Sequence, residues 1–283
     1  MLHPQRPSRQ KTDRRDASRL AELLWLNRLR LLAGQRVQGL RRVVIPSGAD
    51  RQDRRLTSLR WRIGRERTRL LNRMKQLLRR HNLEPHSPAK GIRTQKAQRW
   101  LEPLALVPLD RWELDQLLRQ CAAVEAERQA LQEQIQQRQA QHPQAVLLTT
   151  LPGAGAFTAL ALACRLGGIE RFPRPRSLAN YWGLTPGCRN SGEATQRLGS
   201  ITKEGSALAR FVLGQMVVHV LRRDGKLRAW YKEIRRRRGS KIARVAVMRR
   251  LATIVWHMVK QQQPYQLGGR PAAPAEATTG AGS

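Results

Sequence analysis

Asp13 and Asp16 lie three residues apart in Lys11-Thr12-Asp13-Arg14-Arg15-Asp16-Ala17. On a helix this spacing projects both carboxylates from one face, where they can give oxygen ligands to Mg²⁺. From spacing alone the pair fits better as the acidic complement of a helix dipole. A Mg²⁺ site for phosphoryl transfer needs further carboxylates from other elements, and Glu22, Asp50, Asp53, Glu66 and Glu84 show no suitable grouping. A second locus is Pro152-Gly153-Ala154-Gly155 ahead of an apolar run. Gly153 and Gly155 either let the backbone approach a phosphate at a helix start, as in helix-hairpin-helix modules, or form a plain helix-initiating turn. A third is the stretch 188–210, which concentrates Ser191, Ser200, Thr202 and Ser206 among glycines and the cations Arg189, Lys203 and Arg210. A serine attacking a phosphodiester needs exposure, a flexible backbone and nearby positive charge. All four hydroxyls qualify, although Thr202 also fits as the cap of a helix starting near Lys203. The six His have no HxxxH or HxH spacing. Cys121, Cys164 and Cys188 offer neither a CxxC pair nor a disulfide framework.

The elements that must carry these residues are mainly helical. Residues 12–32 read as one helix, with Thr12 as cap and Leu20, Leu23, Leu24 and Leu31 on its apolar face. A second helix is expected from about Asp53 to Arg80, with an apolar stripe through Leu56, Leu59, Ile63, Leu70, Met74 and Leu77 and arginine on its other faces. Pro85, Pro88 and Gly91 mark a loop. In 109–141, Leu114, Leu117, Cys121, Val124, Arg128, Leu131 and Ile135 recur at alternating steps of three and four, a coiled-coil seam interrupted by Arg128. The two long helices predict an antiparallel hairpin, with a dimerising coiled coil as the alternative. Further helices are expected up to Leu166, at 177–182, 204–222 and 240–261, with a polar loop over 187–200 and the run Arg235–Arg238 ahead of the last helix. From Pro264 onward the composition predicts a frayed tail.

Charge sets the class of partner. The chain has 283 residues with 54 Lys and Arg against 20 Asp and Glu, a net charge of +34. It falls as +20 over residues 1–100, −3 over 101–150, +4 over 151–200 and +13 over 201–283. Two basic regions flanking a near-neutral middle favour phosphate contacts and counterion release. No apolar run approaches the ~20 residues that cross a bilayer, which points away from a membrane and towards a cytoplasmic, nucleoid-associated location.

The motifs are collinear with those of a known family. Lys11-Thr12-Asp13-Arg14-Arg15-Asp16-Ala17 with Leu20-Ala21-Glu22-Leu23 resembles the KTDxxDAxxLAxL signature of DEDD-type insertion-sequence transposases, relatives of the Piv DNA invertases. Leu151-Pro152-Gly153-Ala154-Gly155, the run from Leu178 to Pro186, Asn190-Ser191-Gly192, and Gly199-Ser200-Ile201-Thr202-Lys203-Glu204-Gly205 with Leu208 and Arg210 resemble that family's C-terminal domain. The resemblance implies a mainly α chain in four parts. These are a remnant of a RuvC-like α/β domain (1–50), a helical coiled-coil region (51–144), a C-terminal serine transposase domain with a helix-hairpin-helix-like opening (145–263), and a disordered tail (264–283).

The resemblance also implies a DNA transposase/recombinase that binds Mg²⁺ through four acids, Asp13 and Asp16 being the last two. Ser191 is the preferred nucleophile and Ser200 the second. Partners would be DNA, a structured guide RNA and further copies of the chain. The family's first two acids lie upstream of KTDxxDA, where this sequence has ten residues. The expectation is therefore an N-terminally truncated chain with an incomplete Mg²⁺ site, defective as it stands. The competing reading is a non-catalytic nucleic-acid-binding remnant.

Overall fold

A computed structural model describes residues 13–35, 37–38, 44–88, 91–92, 94–188 and 198–267. These are mainly helical and fall into two units, Met1–Ile45 and Pro46–Ser283. No helix among them is long and apolar enough to cross a membrane.

In the first unit, the helix expected over 12–32 is broken. Helix α1 runs Asp13–Leu26 and α2 runs Arg28–Leu32. Asn27, between them, is buried. Its amide nitrogen donates to the carbonyls of Leu23 (2.8 Å) and Gln38 (3.0 Å), and its Oδ1 accepts from the Gln38 amide at 2.7 Å. At Asn27 the backbone leaves α-helical angles (φ −103, ψ 4) while its backbone amide still bonds the Leu23 carbonyl at 3.2 Å, and the side chain ties this bend to a segment eleven residues away, which periodicity does not register. Leu20, Leu24 and Trp25 remain exposed. Among the described residues this unit has no strand.

The second unit starts with α3, Gly48–Arg80, whose N-cap Ser47 accepts from the Asp50 amide at 3.0 Å. Its start five residues before Asp53 follows from that cap. Helix α4 spans Gln95–Leu101, and α5 spans Pro108–Ala140. Ion pairs give the direction of packing: Arg80 with Asp110 at 3.0 Å, Arg67 with Glu125 at 2.6 Å and Arg138 with Asp53 at 2.8 Å. As numbers fall along α3 they rise along α5, so the pair is an antiparallel hairpin. Leu70, Met74, Leu77, Leu114 and Leu117 form its outer core with Ile92 and Leu101. Where Arg128 interrupts the seam, it hydrogen-bonds Glu125, which also receives Arg67. These contacts hold the Glu125 carboxyl below its ordinary range, the Arg128 hydrogen bond first. A polar layer inside an apolar seam fixes register.

The inner half of the hairpin docks on the C-terminal helices, so residues 46 onward form one unit. Helix α6 is Pro143–Leu148, and α7, Ala156–Leu166, is buried from Ala159 to its end. A helix apolar all round must be surrounded, and α3, α5, α6 and the later α9 pack against it. Arg165, 8% exposed, reaches from α7 to the hydroxyls of Thr57 and Ser58, both at 2.8 Å. Arg54 answers with a 2.6 Å bond to the Cys164 carbonyl. Burial lowers the Arg165 pKa and pushes the Cys164 thiol up to about 11.

Helix α8, Pro175–Tyr181, leads to a strand β1, Pro186–Cys188, which pairs antiparallel with β2, Leu198–Ile201. The expected loop over 187–200 therefore has a paired base. Helices α9 (Ala207–Arg223), α10 (Gly225–Arg238) and α11 (Ser240–Gln261) complete the unit. Arg235–Arg238 form the last turn of α10, directly ahead of α11. Tyr265 is held by its hydroxyl to Asp224 (2.9 Å) and its amide to Thr150 (3.0 Å), so the chain stays docked past Pro264.

Candidate functional site

The serine-rich stretch rises from a stem that the described residues define closely. Ser206 caps α9, its Oγ accepting from the Ala209 amide at 3.1 Å. The helix therefore begins at Ala207, and the capping role expected of Thr202 belongs to Ser206. Thr202 instead continues from β2, its amide donating to the Thr185 carbonyl at 3.0 Å. The Thr202 hydroxyl oxygen is buried without a hydrogen-bond partner among the described residues. Lys203 then turns with φ +56, sparsely populated for a non-glycine residue, and donates its amide to the Gly183 carbonyl at 3.2 Å.

Two glycines make this stem. Gly183 has φ +67, and a Cβ there would sit 2.0 Å from the Glu204 carbonyl oxygen. Gly205 has φ +100, and its Cβ would sit 2.1 Å from the Tyr181 carbonyl oxygen. The backbones of 181–183 and 204–205 thus touch directly. Arg210, an expected phosphate ligand, is engaged here: its guanidinium donates to the carbonyls of Trp182 (3.0 Å) and Gly205 (3.3 Å). Burial lowers its pKa. Arg210 positions the stem, and nothing but its three-dimensional setting distinguishes it from the surface arginines.

Of the expected site residues, Ser191 and Arg189 lie outside the described residues. Ser200 is exposed on β2, and Lys203 is exposed three residues on. Gly153 adopts φ +84 and packs on His219, where an added Cβ would meet the His219 Cβ at 2.6 Å and ring atoms at 2.7–2.8 Å. Gly155 is the N-cap residue of α7 with open space around it. Asp13 and Asp16 occupy the first turn of α1, both exposed. Among the described residues no group of three or more His, Cys, Asp or Glu side chains is placed to hold a metal ion.

The stem, the glycine turn and α9 coincide with a recognised segment. Residues 145–232 match the Transposase IS116/IS110/IS902 family. The matched segment runs from within α6 to within α10 and includes the whole stretch 188–206. Beyond it, the chain is 27% identical over 272 residues to the transposase for insertion sequence element IS1111A of Coxiella burnetii, covering 91% of this chain and 69% of that protein. A putative transposase, y4qE, of Sinorhizobium fredii is 42% identical over 66 residues, 23% of this chain and 17% of its own length. The pilin gene-inverting protein of Moraxella bovis is 31% identical over 125 residues, 43% of this chain and 38% of its own. Apart from IS1111A, the relatives described here are spanned over well under half their length. The similar proteins are thus an insertion-sequence transposase, a second protein named as a putative transposase, and a gene-inverting protein.

Proposed function

We propose that this chain is a DNA transposase/recombinase in which Ser191, or Ser200 as the second candidate, attacks a DNA phosphate. The observation that carries this reading is the match over 145–232, because it encloses a hydroxyl-rich stretch on a rigid base. In the proposed step the serine Oγ forms a bond to phosphorus as the bond to the departing sugar oxygen breaks. The hydroxyl proton leaves the serine, and the departing oxygen gains one. Lys203 and Arg189 supply positive charge to the crowded phosphate, while Arg210 and the two glycines hold the stem. Gly153 and Gly155 offer backbone amides to a neighbouring phosphate.

Asp13 and Asp16 would supply two of the oxygen ligands of Mg²⁺ from one helix face, and among the described residues no further carboxylates join them, so in this chain the site is incomplete. When bound, the ion supplies charge neutralisation at phosphate. Partners under this reading are DNA, a structured guide RNA and further copies of the chain. The net charge of +34 supports polyanionic partners.

The test incubates the chain with Mg²⁺ and plasmid DNA carrying the flanking element ends, then digests and maps any nucleotide-modified peptide by mass spectrometry. This chain alone, with two of the four acids, is expected to bind DNA without reacting, whereas an adduct on Ser191, lost in Ser191→Ala, is expected once the full-length IS1111A transposase is added to supply the remaining carboxylates. An adduct on Ser200 moves the nucleophile to the second candidate. DNA binding without any adduct, both with and without the added relative, overturns the catalytic reading in favour of a non-catalytic binder.

A further inference from the structure

Along α3, Arg62, Arg65, Arg69, Arg73, Gln76 and Arg80 recur at steps of three and four, and all are exposed. That spacing places them in one stripe, about 27 Å long at the α-helical rise. The stripe ends in a groove of about 500 Å³ between α3 and α5, whose walls include Arg73, Gln76, Arg80, Trp112, Gln116 and Gln120. Trp112 is 60% exposed, leaving its indole open beside cations and amides. Arg80 is engaged by Asp110 at 3.0 Å and faces Glu113, also in the wall, at 3.9 Å. Arg73 has no ion-pair partner among the described residues, whereas Arg69 is paired with Glu66 at 2.8 Å.

We infer that this groove binds an unpaired nucleobase of a single-stranded nucleic acid. The base stacks on Trp112, and the adjoining phosphates follow the arginine stripe of α3. An aromatic face beside a positive track is the arrangement by which single strands are held without strict sequence preference. Glutamine side chains carry both donors and an acceptor, so Gln76, Gln116 and Gln120 can meet any base edge. A second copy is disfavoured as occupant, because two such faces would bring arginine stripes of one sign together. The inference deepens the proposed nucleic-acid reading and rests on it.

Fluorescence anisotropy with the full chain tests it, using labelled oligo-dT, oligo-rU and a duplex of equal length. The unaltered chain binds the single strands. Trp112→Ala weakens them about 5- to 150-fold, while Trp112→Phe retains most of the affinity and duplex binding is unchanged. Arg73→Gln lowers the slope of log K against log salt by about 0.7. Preference between oligo-dT and oligo-rU identifies which strand the groove serves. The inference fails if Trp112→Ala binds single strands like the unaltered chain, or if the exposed Leu109→Ala weakens them as much. It also fails if Trp112→Ala changes the oligomeric state in light scattering, which would make the groove an interface between copies. If the unaltered chain binds none of the three probes, the nucleic-acid reading itself falls; the inference falls with it.

Discussion

Alanine at Gly183 tests the stem most severely. Its φ of +67 is left-handed, which costs an L-residue about 1–2 kcal/mol. The added Cβ would also lie 2.0 Å from the Glu204 carbonyl oxygen, a backbone atom that no rotamer change can move. Relief requires 183 and 204 to part by more than 1 Å, roughly the shortfall from ordinary van der Waals contact. That movement breaks the 3.2 Å bond from the Lys203 amide to the Gly183 carbonyl and strains the one from Thr202 to Thr185. Each such bond contributes about 1 kcal/mol net, so Gly183→Ala should cost roughly 3–4 kcal/mol. A domain has about 5–15 kcal/mol in all. Chemical denaturation should show a lower midpoint at unchanged m, and hydrogen exchange should show lost protection at Thr202 and Lys203 specifically. Gly155→Ala, with open space and φ −78, is the control and should stay within about 1 kcal/mol of the unaltered protein. A Gly183→Ala protein destabilised by less than about 1 kcal/mol, with its Lys203 amide still protected, would refute the close-packed stem.

Arg165→Met should destabilise by about 1–3 kcal/mol in denaturant unfolding, because the hydroxyls of Thr57 and Ser58 lose the guanidinium that joins α3 to α7. Glu125 responds to acid: its folded pKa is depressed, so its stabilising contribution is present at neutral pH and lost as pH falls through the folded value. Glu125→Gln should therefore flatten the acid limb of a stability–pH profile below the usual carboxylate range. Cys164, with its thiol near 11, should resist iodoacetamide at pH 8 in the folded protein and react once unfolded. Its folded pKa is raised, so stability falls as pH climbs from the ordinary thiol value towards 11. Ser206→Ala should cost about 1 kcal/mol through the lost α9 cap, measurable as a shifted denaturation midpoint.

Local signals in the sequence determined most of the helices. Seam residues such as Leu114, Leu117 and Ile135 are buried because a 3.6-residue repeat places them on one side whatever the partner is. Gly167, with φ +62, ends α7 at Leu166, where the helix was expected to stop. The hydroxyl-rich stretch and its glycines were also legible, since turn chemistry is carried by residue type.

Long-range contacts were not legible. Asn27 breaks a periodic helix through Gln38, and Ser206 rather than Thr202 caps α9. Asp53 and Thr57 turn a polar face of α3 inward against Arg138 and Arg165. Arg210 holds two carbonyls, and only the juxtaposition of 181–183 with 204–205 explains why Gly183 and Gly205 must lack side chains. Periodicity and propensity act within one turn of chain. A buried polar group is satisfied by whatever the fold brings to it, and that was decided by tertiary packing alone.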